Sequence, residues 1–426
     1  MNRKAALALA GFVLAVACVG LYYMVAPKLA RQPQQLMKGA FERELPAPSP
    51  DRLQLASDNN AFALDMYRRL QGKEGNLFFS PTSLSAGLAM AYSGAGTKTA
   101  EEMRRTLRLS LPDERLFEAF AGQIEEANAP RKPFKLSVVN SLWSQHDFPL
   151  KPEFLNRLQA AFRARATPVD FQTAPDTVCG DINAWVARET DGRIPKIVDP
   201  GMMTAALRLI LVNAVYFKGD WALKFKKNAT EDQPFYAPKN AIGMVPLMRQ
   251  VRESPYAEDG PVQVLALPYK GGELSMVVVL PKEKDGLAAV EKTLSKRQLD
   301  DWVGLLSPRK VKVELPKFKL EAGYSLGDDL KAMGMPLAFS PLAADFSGMS
   351  ELKADGLFIG FVLHRAFVEV DEEGTEAAAA TALAGQLRMA SKPDELPVFR
   401  ADHPFLFMIR DDRTGAIVFM GRFAKP

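Results

Sequence analysis

The sequence predicts an α+β fold. Helix signals crowd the early part of the folded region, strand signals crowd the later part, and no Pro/Gly/Ser-rich linker interrupts residues 58–426. At 426 residues, 47% hydrophobic and 24% charged, the chain can bury one large core and is neither fibrous nor disordered. In chain order, Phe62, Met66 and Leu70 recur at four-residue spacing, predicting a first helix that starts near Asp58 or Asn59 as N-cap. Thr99-Ala100-Glu101-Glu102 has the capping-box pattern, so Thr99 is expected to open another helix. Residues 136–143, 207–217 and 274–280 are short apolar runs suited to strands, the last two apolar enough to be buried on both faces. Val311, Val313 and Leu315 alternate with Lys312 and Glu314 in a half-buried strand that stops at Pro316. Phe405–Arg410 and Ala416–Arg422 flank Asp411-Asp412-Arg413-Thr414-Gly415, the pattern of a hairpin with a longer loop.

The N-terminus reads as a targeting segment. Arg3 and Lys4 precede an uncharged, largely apolar run from Ala5 to Ala26, long enough to span a bilayer at about 1.5 Å per residue. Ala15-Val16-Ala17-Cys18 resembles a bacterial lipoprotein cleavage box, with alanine where leucine is usual. An uncleaved anchor over Ala5–Ala26, a lipidated Cys18 and a cleaved signal all imply export, to the extracellular space or periplasm. Residues 1–26 are thus assigned as signal or anchor. Residues 27–57, with Pro27, Pro33, Pro46, Pro48, Pro50 and several glutamines, are assigned as a flexible tether, and residues 58–426 as the folded domain. Any membrane contact is expected only through the N-terminal segment. A net charge of +4 gives no electrostatic case for nucleic-acid binding. Besides Cys18 there is only Cys179, so the domain forms no internal disulfide, and Cys179 reads as a small core or surface residue.

Enzyme chemistry is missing from the sequence. The only histidines are His146, His364 and His403, and there is no G-x-S-x-G, H-E-x-x-H or C-x-x-C. Neither a catalytic constellation nor a cofactor or metal is expected. Gly94-Ala95-Gly96-Thr97-Lys98-Thr99 lacks the G-K-[ST] core of a phosphate loop and reads as a turn into a helix. Arg104, Arg105 and Arg108 form a basic strip that fits a solvated face better than a polyanion site.

The most informative stretch is Glu372-Glu373-Gly374-Thr375-Glu376-Ala377-Ala378-Ala379-Ala380-Thr381. Read with period 2, Thr375, Ala377, Ala379, Thr381 and Leu383 share one small, uncharged face. Such a segment can be an exposed loop or slide into a sheet without overpacking the core beneath it. Alanine is also the best helix former, so composition alone fits a helix equally well.

Other motifs decide between these. The run resembles the reactive-centre-loop hinge of serpins, the inhibitors that trap serine proteases by loop insertion. Asn76-Leu77-Phe78-Phe79-Ser80-Pro81-Thr82-Ser83-Leu84-Ser85, Asn183-Ala184-Trp185-Val186 with Thr190-Asp191-Gly192-Arg193-Ile194, and Leu211-Val212-Asn213-Ala214-Val215-Tyr216-Phe217-Lys218-Gly219-Asp220-Trp221 are similar to further serpin segments. So are Leu363-His364-Arg365-Ala366, Asp402-His403-Pro404-Phe405-Leu406-Phe407 and Gly421-Arg422-Phe423. The resemblance implies three β-sheets with eight or nine helices, an exposed reactive-centre loop, and a central sheet able to accept one more strand. It implies a polar cluster of Ser80, Ser83, Asn213 and His364 under that sheet, with Trp221 at its top. Arg388, fourteen residues after Gly374, is then the residue before the scissile bond, and Arg388–Met389 the bait. Met389–Asp402 is longer than in many relatives, which leaves Leu387 or Met389 as alternatives suited to chymotrypsin- or elastase-like proteases. The implied activity is irreversible, suicide-substrate inhibition of a trypsin-like serine protease by a monomer that becomes covalently joined to its target. The alternatives are an inhibitor of cysteine proteases and a non-inhibitory carrier, chaperone or storage protein, against which the small hinge residues argue.

Overall fold

The computed structural model describes residues 47–129, 134–204, 206–350, 356–374 and 396–426. Among them nine α-helices and two hydrogen-bonded sheets form one α+β domain. Helix α1 spans Pro50–Leu70, with Ser49 as N-cap and proline at its first position, which needs no amide donor. It therefore starts inside the stretch expected to be a tether, and not at Asp58. Asp58 is buried in mid-helix, where its carboxylate accepts from Ser110 N at 2.9 Å and Ser110 Oγ at 2.8 Å. Helix α2, Pro81–Tyr92, is buried along its whole length, and the Ser80 hydroxyl caps its first turn.

Helix α3, Thr97–Thr106, is capped by Gly96 without a side-chain bond, which corrects the expected cap at Thr99. The capping-box residues hold a distant loop instead: Thr99 Oγ1 accepts from Asp345 N at 3.0 Å, and Glu102 from Leu337 N at 2.9 Å. The basic strip is likewise engaged, since Arg104 pairs with Asp113 and Arg108 with Asp65. The remaining helices are α4 Asp113–Ala127, α5 Pro152–Phe162, α6 Pro175–Glu189, α7 Leu287–Thr293, α8 Lys296–Leu305 and α9 Gly327–Met333.

The larger sheet contains β1 (Leu77–Phe79), β5 (Glu231–Ala237), β6 (Ala241–Asp259), β7 (Val262–Pro268) and β8 (Leu274–Pro281). It also holds β9 (Ser307–Pro316), β12 (Val398–Arg400), β13 (Phe405–Asp411) and β14 (Ile417–Phe423). The 19-residue β6 pairs with β5 and β9 and then with β7 at its far end, so one strand belongs to three ladders. Two of the three expected sheets are thereby continuous here. The hairpin β13–β14 and the fully buried β8 follow the sequence expectation.

The smaller, five-stranded sheet positions the site. Its order is β10 (Phe318–Ser325), β11 (Ile359–Val370), β4 (Leu209–Gly219), β2 (Phe134–Gln145) and β3 (Ala166–Val169). Both faces of β4 are apolar because both are covered. Ile210, Val212 and Ala214 pack with Val178, Ile182 and Val186 of α6, while Leu209 and Leu211 pack with Leu84 and Leu88 of α2. Burial of such side chains contributes on the order of 25 cal/mol per Å² of apolar surface removed from water.

Candidate functional site

The site is the seam between β4 and β11. These neighbours run parallel, with Val362 opposite Leu211, His364 opposite Asn213 and Val368 opposite Phe217. Each is antiparallel to its neighbour on the other side, β2 and β10 respectively. A parallel pair is slightly the weaker ladder, so an antiparallel strand placed in this seam would replace one parallel interface with two antiparallel ones.

The chain makes a tight turn at the top of the seam. Past Val370 it turns at once: Asp371 and Gly374 exchange N–H···O bonds of 3.1 and 3.3 Å, with Glu372-Glu373 at the tip. Gly374 also bridges Asp220, just beyond β4, in the antiparallel sense. It therefore stands between the ends of the two parallel strands and points back into the sheet. Its φ of +116° and the backbone of Gly219 and Trp221, into which a Cβ would collide, both require glycine.

The turn is held by the segment after β4. Trp221 N donates to Glu373 O at 3.0 Å, and Phe225 N donates to Glu372 O at 2.9 Å. The fully buried Trp221 ring stacks on Tyr269 with centroids 4.6 Å apart, and its Nε1 donates to Asp371 O at 2.9 Å. Glu373 pairs with Lys224 at 2.6 Å and Lys227 at 3.3 Å, and hydrogen bonding to Lys224 holds its carboxyl below the usual range. Burial alone would raise the carboxyl of Glu372, but hydrogen bonds from Lys317 and Thr230, each 2.8 Å, prevail and keep it ionised. Burial raises the carboxyl of Asp371.

Halfway down, a polar cluster crosses the seam, bringing together Ser80, Ser83, Asn213 and His364, each at most 2% exposed. The Ser80 amide donates to His364 Nε2 at 3.1 Å, which leaves the proton on Nδ1, and Nδ1 donates to Asn213 Oδ1. Asn213 Nδ2 donates to Ser83 O at 3.0 Å, to Ser83 Oγ at 2.6 Å and to Asn140 Oδ1. Ser80 Oγ donates to Val418 O at 2.7 Å, tying the cluster to the larger sheet. Burial pushes the His364 imidazole down to about 3, consistent with a neutral ring whose two nitrogens play opposite roles. The His364–Asn213 bond is a latch: it joins β11 to β4 directly, and a strand entering between them must part it.

Eight predicted residues thus fall into two groups, Trp221 with Glu372, Glu373 and Gly374 at the top, and Ser80, Ser83, Asn213 and His364 at the centre. Thr375, Glu376, Ala377, Ala378, Ala379, Ala380, Thr381, Arg388 and Met389 lie outside the described residues, as do Ala5–Ala26 and Cys18. Asn140 and Gly87 were not anticipated. Asn140 lies on β2 directly opposite Asn213, and Gly87 leaves room for it, since a Cβ there would sit 2.8 Å from Asn140 Oδ1. Lys317, Lys224 and Thr230, which grip the turn, carry no signal in the sequence.

Comparison with known proteins agrees with this geometry. The model of the serpin family, serine protease inhibitors, matches residues 57–426. An uncharacterised serpin-like protein of Thermococcus kodakarensis is 42% identical over 368 residues, 86% of this chain and 84% of that protein. Human leukocyte elastase inhibitor is 40% identical over 383 residues, 88% of this chain and 100% of that one. Among solved structures, uncleaved ovalbumin matches with a TM-score of 0.79 at 30% identity, covering 87% of this chain and 100% of its own. Native protease nexin-1 with heparin gives 0.79 at 27%, covering 88% and 100%. A glycine turned into a parallel seam, a latch across that seam, and a family match spanning both lead to one assignment: this chain belongs to the serpin family of serine protease inhibitors.

Proposed function

We propose that the protein is a suicide-substrate inhibitor that traps a serine protease by inserting residues 375–388 between β4 and β11. The observation that supports this is the turn at Gly374, which bridges antiparallel to both Asp371 after β11 and Asp220 after β4. Continuing its antiparallel register puts Thr375 opposite Val370, Ala377 opposite Val368, Ala379 opposite Ala366 and Thr381 opposite His364. Val368 and Ala366 face the core, so the facing positions are those the sequence keeps small. Carrier, chaperone and storage readings are disfavoured for the same reason.

In this reading the protease serine attacks the carbonyl carbon of Arg388. The bond to the Met389 nitrogen breaks, the new amine leaves protonated, and an ester joins the two proteins. The freed strand then enters the seam. Fourteen residues at ~3.3 Å each carry the tethered protease on the order of 45 Å, and insertion must outrun hydrolysis of the ester. The arginine suits a trypsin-like pocket. The 40% identity to an elastase inhibitor favours, as a second reading, an elastase-like target cleaving after Leu387 or Met389. We also infer export through the apolar run Ala5–Ala26, as a cleaved signal, an anchor or a lipidated Cys18.

Mixed with trypsin, the protein is expected to give a complex that survives boiling in detergent, together with a released peptide beginning at Met389. Arg388→Ala should abolish the complex without changing the fold. A peptide beginning at Arg388 or Ala390 would move the bait. Cleaved product without complex from trypsin-, chymotrypsin- and elastase-type enzymes alike would overturn the inhibitory reading.

A further inference from the structure

Beneath the segment that grips the turn lies a buried cation that neither the latch nor the salt bridges explain. Arg252 sits on β6 directly opposite Val311, so its side chain faces the core, and it is only 5% exposed. It has no ion-pair partner among the described residues, and burial lowers its guanidinium to about 10. Nη1 donates to Leu223 O at 2.8 Å, the guanidinium lies 5.8 Å from the Phe225 ring centroid, and Nε is buried without a hydrogen-bond partner. Gln250 Oε1, two residues back on the same face of β6, is buried and lacks a donor. The arginine bonds a carbonyl on the segment after β4, while the acceptor on its own strand stays unpaired. Leu223 lies midway between Trp221 and Phe225, whose amides hold Glu373 and Glu372. A carbonyl held from below lies between two amides that grip the turn above.

We propose that Arg252 is a positioning residue for the hinge, holding the Leu223 carbonyl so that the Trp221 and Phe225 amides stay aligned on the turn that starts strand insertion. An uncompensated buried cation is otherwise a poor choice for a core position, and an apolar side chain of similar volume is commonly neutral or stabilising there. The inference rests on the insertion reading for its meaning, but not for its test.

Hydrogen exchange on the intact native protein, without any protease, reads the two amides directly. Arg252→Met should leave the thermal midpoint unchanged or raised, while exchange at Trp221 and Phe225 quickens about tenfold or more and the mid-strand amide of Val215 does not change. A charged hydrogen bond to a carbonyl is strong enough for such a factor. Arg252→Lys keeps one donor and should bring exchange back toward that of the parent. If the methionine variant does not fold, Arg252→Gln, polar but too short to reach Leu223, carries the same comparison. Unchanged exchange at both amides in a folded variant overturns the proposal. So does a rise matched at Val215 with a fall in midpoint, because that is the mark of a merely structural residue.

Discussion

The latch predicts a specific acid sensitivity. His364 is neutral in the fold because Nε2 accepts from the Ser80 amide while Nδ1 donates to Asn213. Burial holds its pKa near 3, against about 6.5 for an unfolded histidine. The folded-state pKa is depressed, so between these values the unfolded chain binds a proton that the folded chain does not. Stability is then whole above about pH 6.5 and falls as pH drops toward 3. At roughly 1.4 kcal/mol per pH unit, the loss from pH 7.5 to 4.5 is on the order of 3 kcal/mol, or about 4 °C for a domain this size. Other groups titrate in the same range, so the measurement is a difference between two proteins. His364→Gln keeps one acceptor and one donor at the latch and cannot be protonated. Thermal melts of parent and variant at both pH values should show the variant losing about 4 °C less than the parent. Parallel losses would refute the assignment of the acid sensitivity to His364.

Two further outcomes follow from the hinge. Glu372→Lys places an ammonium beside Lys317, which now lies 2.8 Å from the carboxylate, at a site 5% exposed. Loss of a buried partner on the order of 3–5 kcal/mol should loosen the turn, open the seam and give oligomers on warming, seen by size-exclusion chromatography. The charge swap Glu372→Lys with Lys317→Glu should restore the monomer, and failure of the swap to do so would remove electrostatics as the cause. Thr375→Arg puts a charge on the face that enters the core, so the variant should fold, be cleaved and yield little covalent complex. Undiminished complex on denaturing gels would contradict insertion in this register.

Much of this was legible because the signals were chemical as well as periodic. β4 and β8 read as doubly buried strands from apolar runs, and covered faces are what such runs require. The hinge and the latch residues were legible only through resemblance; period-2 reading alone left loop, strand and helix open. Element starts failed where polar residues serve tertiary partners. Asp58 looked like a cap but accepts from Ser110, and Thr99 and Glu102 looked like a capping box but hold the loop at Asp345 and Leu337. In each case a short polar side chain satisfies a backbone amide remote in sequence, which local pattern cannot reveal. The true starts rest on Ser49-Pro50 and on an uncapped Gly96. Lys317, Lys224 and Arg252 were illegible for a similar reason. A basic residue near a strand end is common, and its pairing with the turn, or with a carbonyl above it, exists only once the sheets are assembled.

A crystal structure of the protein cleaved in its loop would reveal strand insertion itself. The cleaved protein is expected to have a six-stranded smaller sheet, with Thr381 lying between His364 and Asn213 and the bond between those two side chains parted. A cleaved protein in which β4 and β11 remain paired, with His364 still opposite Asn213, would contradict it.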